Sequence, residues 1–221
     1  LSEFNLPFLA MIQEGMVHTD KWVRQAATEA FSKIGNEIGL EQLFEMLKDP
    51  AQEVRMMAVT TLGHFRTSEV GEKLFSIANS ENENSDIRMN ALYALFNQKN
   101  LKALEALRES PSQAVSINAS GLSSLLMPRE EGVDFLIAAA HQTPVSALPE
   151  LFHYLMEIAN PEDISKLVKS YSRIKEDKRE HFLHFISSFL KNKAGPKLDK
   201  ALSNLTEGER TAISIIGGKF G

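Results

Sequence analysis

A chain of 221 residues with 43% hydrophobic content can bury a continuous core, either in one elongated domain or in two small ones. Its formal charge of -5 excludes a global attraction to nucleic acid or to an anionic membrane, so any such site must be a local patch. The absence of cysteine excludes disulfides, thiolate metal sites and a cysteine nucleophile, and no apolar run reaches the ~18 residues that a membrane-spanning helix needs.

The chain begins at Leu1 rather than Met and carries no signal-peptide pattern, which points to a processed product or a piece of a longer protein. Leu6 to Ile12 has apolar residues at helical spacing and predicts a first helix, leading through Gly15 to His18-Thr19-Asp20, where a second helix restarts. In that second helix Val23, Ala27, Ala30, Phe31 and Ile34 fall on one face, and Gly35 is placed to end it in a left-handed cap. Trp22 reads as an anchor for the stack.

The next pair places Leu40, Leu43, Phe44 and Leu47 on one helix, breaks at Asp49-Pro50, and continues as a second helix from Val54 to Phe65. Val70, Leu74 and Ile77 open the third pair, which Ile87 to Phe96 completes; between them the polar segment Asn79 to Ser85 is expected to be the most mobile part of the array. Leu101, Leu104 and Leu107, then Val115 to Leu126, make the fourth pair. Beyond it the pattern decays: a fifth pair runs from Val133 to Ile158, a sixth from Ile164 to Leu190, and a seventh from Leu198 through the capping box Thr206-Glu-Gly-Glu209, with a frayed tail at Gly217 to Gly221.

A motif recurs through these pairs. Val23-Arg-Gln-Ala-Ala-Thr-Glu-Ala-Phe-Ser-Lys-Ile-Gly35 returns as Val54-Arg-Met-Met-Ala-Val-Thr-Thr-Leu-Gly63 and again as Ile87-Arg-Met-Asn-Ala-Leu-Tyr-Ala-Leu95. The central positions Ala27, Ala58, Ala91, Ala119, Leu151, Phe182 and Ala212 are spaced by 28 to 33 residues. A fixed period of this size means stacked supersecondary units, each burying its apolar face on the next. Leu151 and Phe182, larger than Ala, are expected to hold their helices further apart.

The leucine-rich helix, the Asp-Pro or polar turn and the Val-Arg-x-x-Ala-x-x-x-Leu-Gly helix together resemble HEAT repeats, in the short bacterial form named for phycobilisome lyases. The resemblance covers residues 20 to 97 best, extends to 126, and rests on spacing alone beyond that. It implies an all-α, right-handed solenoid of about seven antiparallel helix pairs. Residues 1–126 would form regular repeats and residues 127–221 degenerate ones in the same solenoid. It also implies that second helices line the concave face and that an Asp-Arg ladder joins neighbouring units. Carried over, the ladder uses Arg24, Arg55, Arg88 and Arg179 with Asp20, Asp49 and Asp86. Ser116, Leu148 and Glu209 stand in the arginine's place elsewhere, so the ladder should break after the third repeat.

The face of each second helix turned away from its own core carries Gln25 and Glu29, then Met56 and Thr60, Met89 and Tyr93, and Ile117 and Gly121. Met56, Thr60, Met89, Tyr93, Phe96 and Ile117 therefore form a candidate semi-apolar stripe suited to a peptide, because Met is adaptable and Tyr amphipathic. The alternative is that these residues pack between neighbouring second helices. Lys166, Lys169, Arg173, Lys175, Lys178, Arg179, Lys191, Lys193, Lys197 and Lys200 make a basic segment that could meet nucleic acid, lipid headgroups or an acidic partner, or simply solvate an outer face.

Chemistry is sparse. No His-Glu dipeptide, phosphate-binding loop, nucleophile elbow or dinucleotide fingerprint occurs, and His181 and His184 lack a nameable third ligand, so neither metal nor cofactor is expected. Some HEAT-like proteins excise alkylated bases with a basic, aromatic-rich face, and some are lyase subunits; the acidic front half fits the first poorly, and the motif does not single out the second. The expectation is a non-catalytic scaffold whose partner is a protein or peptide, possibly another region of the parent chain. Compartment and oligomeric state stay open.

Overall fold

The computed structural model describes residues 5–34 and 40–218, and among them the chain forms fourteen α-helices and no strand. The expected Gly35 cap lies outside the described residues. Two compact units divide the chain, Leu1–Ala119 and Ser120–Gly221, with the boundary falling inside a helix.

In the first unit the helices are α1 (Asn5–Met16), α2 (Lys21–Ile34), α3 (Leu40–Met46), α4 (Gln52–Leu62), α5 (Ser68–Asn79), α6 (Ser85–Asn97) and α7 (Leu101–Leu107), and α8 (Gln113–Leu126) begins there. Helix α1 packs on α2, α3 on α4 and α5 on α6, while α2, α4 and α6 stack side by side in one layer. The repeat's central alanines explain the close stacking: Ala58, Ala91 and Ala119 are fully buried, and a methyl group there leaves room for a neighbouring backbone. Gly63 marks another close approach, since a Cβ there would sit 3.2 Å from that of Ala94.

Helix starts follow the polar turns. Thr67 Oγ1 accepts from the Val70 amide at 3.2 Å, Asn84 Oδ1 from that of Asp86 at 2.8 Å, and Asn100 Oδ1 from that of Ala103 at 3.2 Å, each satisfying an amide that the helix leaves without a partner. Helix α4 stops at Leu62, short of Phe65, and the Gln98 side chain donates to the carbonyls of both Leu62 and Phe65, at 3.2 and 2.6 Å.

The second unit holds α9 (Arg129–Gln142), α10 (Leu148–Ile158), α11 (Ile164–Arg173), α12 (Arg179–Asn192), α13 (Pro196–Ser203) and α14 (Glu207–Gly218). Gly217 and Gly218 thus belong to a helix, and the rest of the tail lies outside the described residues. Leu151 and Phe182, in the alanine position, are fully buried, and the core here is aromatic: Phe152 meets Phe182 edge-on at 5.1 Å and stacks on Phe185 at 4.7 Å.

Polar staples tie this unit together in place of the arginine ladder. Arg129 pairs with Asp163, whose carboxylate also accepts from the Asn160 amide at 2.8 Å, and the buried Lys178 ammonium donates to the His141 carbonyl at 2.6 Å at the negative end of α9. Glu209 closes the capping box with Thr206 and accepts from the Ser165 hydroxyl at 2.6 Å. The Ser165 bond, followed by the two from Thr206, holds the Glu209 carboxyl down at about 2, below its ordinary 4.5. A carboxyl depressed on folding stabilises the protein above its unfolded pKa, and that contribution is lost as pH falls through the folded value. Glu209→Gln is therefore expected to melt earlier than the parent at pH 7, with the gap closing between pH 4.5 and about 2; thermal melts followed by circular dichroism at pH 7, 4.5, 3 and 2 measure it, and a gap constant with pH would contradict the assignment.

Candidate partner-binding face

The arginine of each repeat motif serves the stack. Arg24 grips Asp49 with two bonds, of 2.6 and 2.9 Å, while its remaining nitrogen donates to the carbonyls of His18 and Thr19 at 2.9 Å each. Arg55 does the same one repeat later, with two 2.9 Å bonds to Glu83 and one of 2.9 Å to the Asp49 carbonyl. Each guanidinium thus ties the turn of its own repeat to an acid of the next. The Arg24 bond holds the Asp49 carboxyl below its ordinary range against the opposing effect of burial, and Arg55 does so for Glu83.

Arg88 ends the series. Its Nε donates to the Ala78 carbonyl at 3.1 Å, and its buried Nη2 has no hydrogen-bond partner. The acid of the second rung is Glu83, not Asp86, which is exposed in the first turn of α6; Asp20 instead accepts from the Trp22 amide at 2.8 Å and starts α2. In the fourth repeat Ser116 takes the arginine's place and donates to the Arg108 carbonyl. Glu83 and Asn84 together anchor the 79–85 segment, which is engaged in the ladder and in a helix cap where the polar composition suggests a loose loop.

Beside the ladder, the outward face of α4 and α6 is partly closed by Asn90. Its amide nitrogen donates to Thr60 Oγ1 at 2.7 Å and lies 3.2 Å from the Met56 sulfur. Met56, Met89 and Phe96 are half-buried and Ile117 is buried, so these four do not form one open stripe. Tyr93 differs: it is 47% exposed, and outside the first helix pair it is the one large apolar side chain, among the described residues, that stands this free of the fold. Next to it, between α4 and α6, lies a polar hollow of about 430 Å³ lined by Thr60, His64, Arg66, Asn90 and Asn97 over a floor of Gly63 and Ala94. Asn90 and Asn97 precede and follow Tyr93 by three and four residues, which puts all three on one side of α6.

A sequence model of HEAT repeats matches residues 40–115, the span from α3 to the start of α8 that carries the Arg55–Glu83 rung and the hollow. Residues 40–115 of the chain carry HEAT repeats. No curated protein matches it. HEAT repeats serve as protein-interaction scaffolds, and no described helix of the chain is long and apolar enough to cross a membrane.

The second unit holds a feature that sequence spacing alone does not reveal. His153 on α10 joins His181 and His184 on α12 around a hollow of about 370 Å³ floored by Phe152, Met156 and Phe185. Among the described residues no three His, Asp or Glu side chains are placed to hold a metal ion. The basic segment is partly consumed by the fold: Lys166 pairs with Asp134 at 2.7 Å, Lys169 with Glu209 at 3.4 Å, and Lys178 is buried on carbonyls. Gly121, at the repeat position of Tyr93, is buried against the ring of Tyr154. Trp22 is 59% exposed with the Lys21 ammonium 4.7 Å from its ring centre, so it anchors no core.

Proposed function

We propose that the chain is a non-catalytic scaffold that binds a protein or peptide on the second-helix face of its first unit, with Tyr93 as the anchor and the adjoining hollow as the polar contact. The observation that carries this reading is the exposure of Tyr93 beside unburied hydrogen-bonding groups. An amphipathic ring can surrender its apolar face to a partner at little entropic cost, since only two torsions are ordered. Around it Asn97 and the exposed Arg66 supply an amide and a planar cation, which suits a segment with free backbone groups and a carboxylate. Binding energy at such faces concentrates in a few anchors.

Tyr93→Glu is expected to lower capture of the physiological partner at least tenfold while leaving the melting temperature unchanged, because the side chain stands outside the core. Tyr93→Phe should retain capture. Quantitative affinity purification with parent and variants, paired with thermal melts, reads both outcomes. Undiminished capture by Tyr93→Glu would remove this face from consideration. Binding that instead falls steeply with salt and maps to Arg173, Lys175 and Lys197 would favour a polyanionic partner.

A further inference from the structure

The third rung of the ladder has its cation but no acid. On the first two rungs the guanidinium edge formed by Nε and Nη2 grips an acid of the next repeat, Asp49 for Arg24 and Glu83 for Arg55. On Arg88 that edge is diverted: Nε donates to the Ala78 carbonyl at 3.1 Å, and Nη2 is buried with no hydrogen-bond partner among the described residues. Leaving a buried charged donor unpaired costs free energy, so the position calls for an anion.

Register shows where the acid should come from. The turn Asp49-Pro-Ala-Gln-Glu-Val-Arg55 has its counterpart two repeats on in Ser110-Pro-Ser-Gln-Ala-Val-Ser116, with Pro, Gln and Val in the same places. Ser110 therefore stands where Asp49 stands. Space agrees with register: Ser110 Oγ donates to Asn79 Oδ1 at 2.8 Å, and Asn79 follows Ala78, the residue that Arg88 holds, at the end of α5. The hydroxyl and the unpaired nitrogen thus serve one end of one helix, but a hydroxyl brings no charge.

We infer that Ser110 is a phosphorylation site and that its phosphate is the acid of the third rung. In the transfer Ser110 Oγ attacks the terminal phosphorus of a nucleoside triphosphate held by a protein kinase. The Oγ–P bond forms as the bond to the bridging oxygen breaks, the nucleoside diphosphate leaves, and the hydroxyl proton passes to the kinase's base. The segment is open to such an enzyme, since Ser110 is half-buried and Pro111 exposed in the turn between α7 and α8. The product carries about two negative charges and three acceptor oxygens. Rotation of the Ser110 side chain exchanges the Asn79 oxygen, which repels a phosphate, for the Arg88 guanidinium. A second phosphate oxygen can accept from the Ser112 amide, as Asp49 accepts from that of Ala51. The modified chain gains a clasp between its third and fourth repeats. None of the clasp's residues lines the hollow beside Tyr93, so it stands or falls independently of the partner face.

The full chain carrying phosphoserine at position 110, introduced during synthesis, is compared with the parent by thermal melts at low salt. The expected rise is about 3 °C, the shift that new charge-assisted bonds give a chain of this size. It should vanish when Arg88→Gln is placed in both chains, and Ser110→Asp, which restores the Asp-Pro pair of the second repeat, should reproduce part of it. Phosphorus NMR gives a second readout: the second ionisation of the phosphate, ordinarily near pH 6, should fall beside Arg88 and return with Arg88→Gln. Phosphopeptide mapping of the protein from its own cells should find the group on Ser110. A melting temperature unchanged or lowered by phosphoserine, a rise that persists with Arg88→Gln, or no phosphate on Ser110 in the cellular protein overturns the inference. Equal stabilisation of the unmodified parent by millimolar inorganic phosphate overturns it too, by making the third rung a site for a free anion.

Discussion

Gly121→Ala is expected to lower the unfolding free energy by about 3 kcal/mol, at the upper end of what overpacking a core costs. A Cβ at this position would lie 2.0 Å from the Tyr154 ring and 2.3 Å from the ring atom nearest its backbone. The ring cannot swing its tip aside to relieve the clash, because the body of the side chain is what is struck. Tyr154 is itself buried, so the second unit must open between the two helices or force the ring off its preferred rotamer. Chemical denaturation of parent and variant measures the loss. Tyr154→Leu in the Gly121→Ala background should recover part of it, giving a positive coupling in a double-mutant cycle. A variant within 0.5 kcal/mol of the parent would show that this contact is soft.

This glycine shows where sequence reading reaches its limit. Helical spacing assigns Gly121 and Tyr93 to equivalent positions, and that angular assignment is sound within one helix. It carries no information about which neighbour arrives at that position. At Tyr93 no described side chain seals the ring from solvent, whereas at Gly121 the ring of Tyr154 fills the space that the missing side chain leaves. The same gap explains Met56 and Ile117, which periodicity turns toward a partner and the stacking of α4 on α6, or burial in the core, turns inward.

Fold and register were legible because they depend on local rules: small residues at a fixed period, polar turns and apolar faces. The helix pairs follow from those alone, down to the capping box at Thr206 and Glu209. The ladder was half legible. Arg24, Asp49 and Arg55 stand in the expected relation, but the second acid is Glu83, five residues before Arg88, where Asp49 precedes Arg55 by six. A turn of different length shifts the acid along the chain while keeping it in place in space, and the polar run around Glu83 offered no local sign of being anchored. The three-histidine hollow was illegible for a related reason, since His153 comes from a different helix than His181 and His184.

Asp49→Ala is expected to cost about 3 kcal/mol, since breaking a largely desolvated ion pair strands the surviving charge. The Asp49 side chain is almost wholly buried, holds Arg24 through two bonds and accepts from the Ala51 amide at 2.8 Å. Replacing it leaves the Arg24 guanidinium with only the carbonyls of His18 and Thr19, and removes the polar contact that organises the turn before α4. Asp49→Asn separates the two roles. The amide oxygen can still accept from Ala51, which preserves about 1 kcal/mol of capping-type stabilisation, while the charge is gone. The order of stability should therefore be parent, Asn, then Ala. The pH dependence gives an independent reading: the Asp49 carboxyl is held below its ordinary value, so its contribution is complete above that value and fades as pH falls through the folded one. The advantage of the parent over Asp49→Asn should accordingly shrink in acid, below about pH 4. Urea denaturation at pH 7 and pH 3 tests both statements. An Asn variant as stable as the parent at pH 7 would mean that the ladder sets the register between repeats without strengthening the stack.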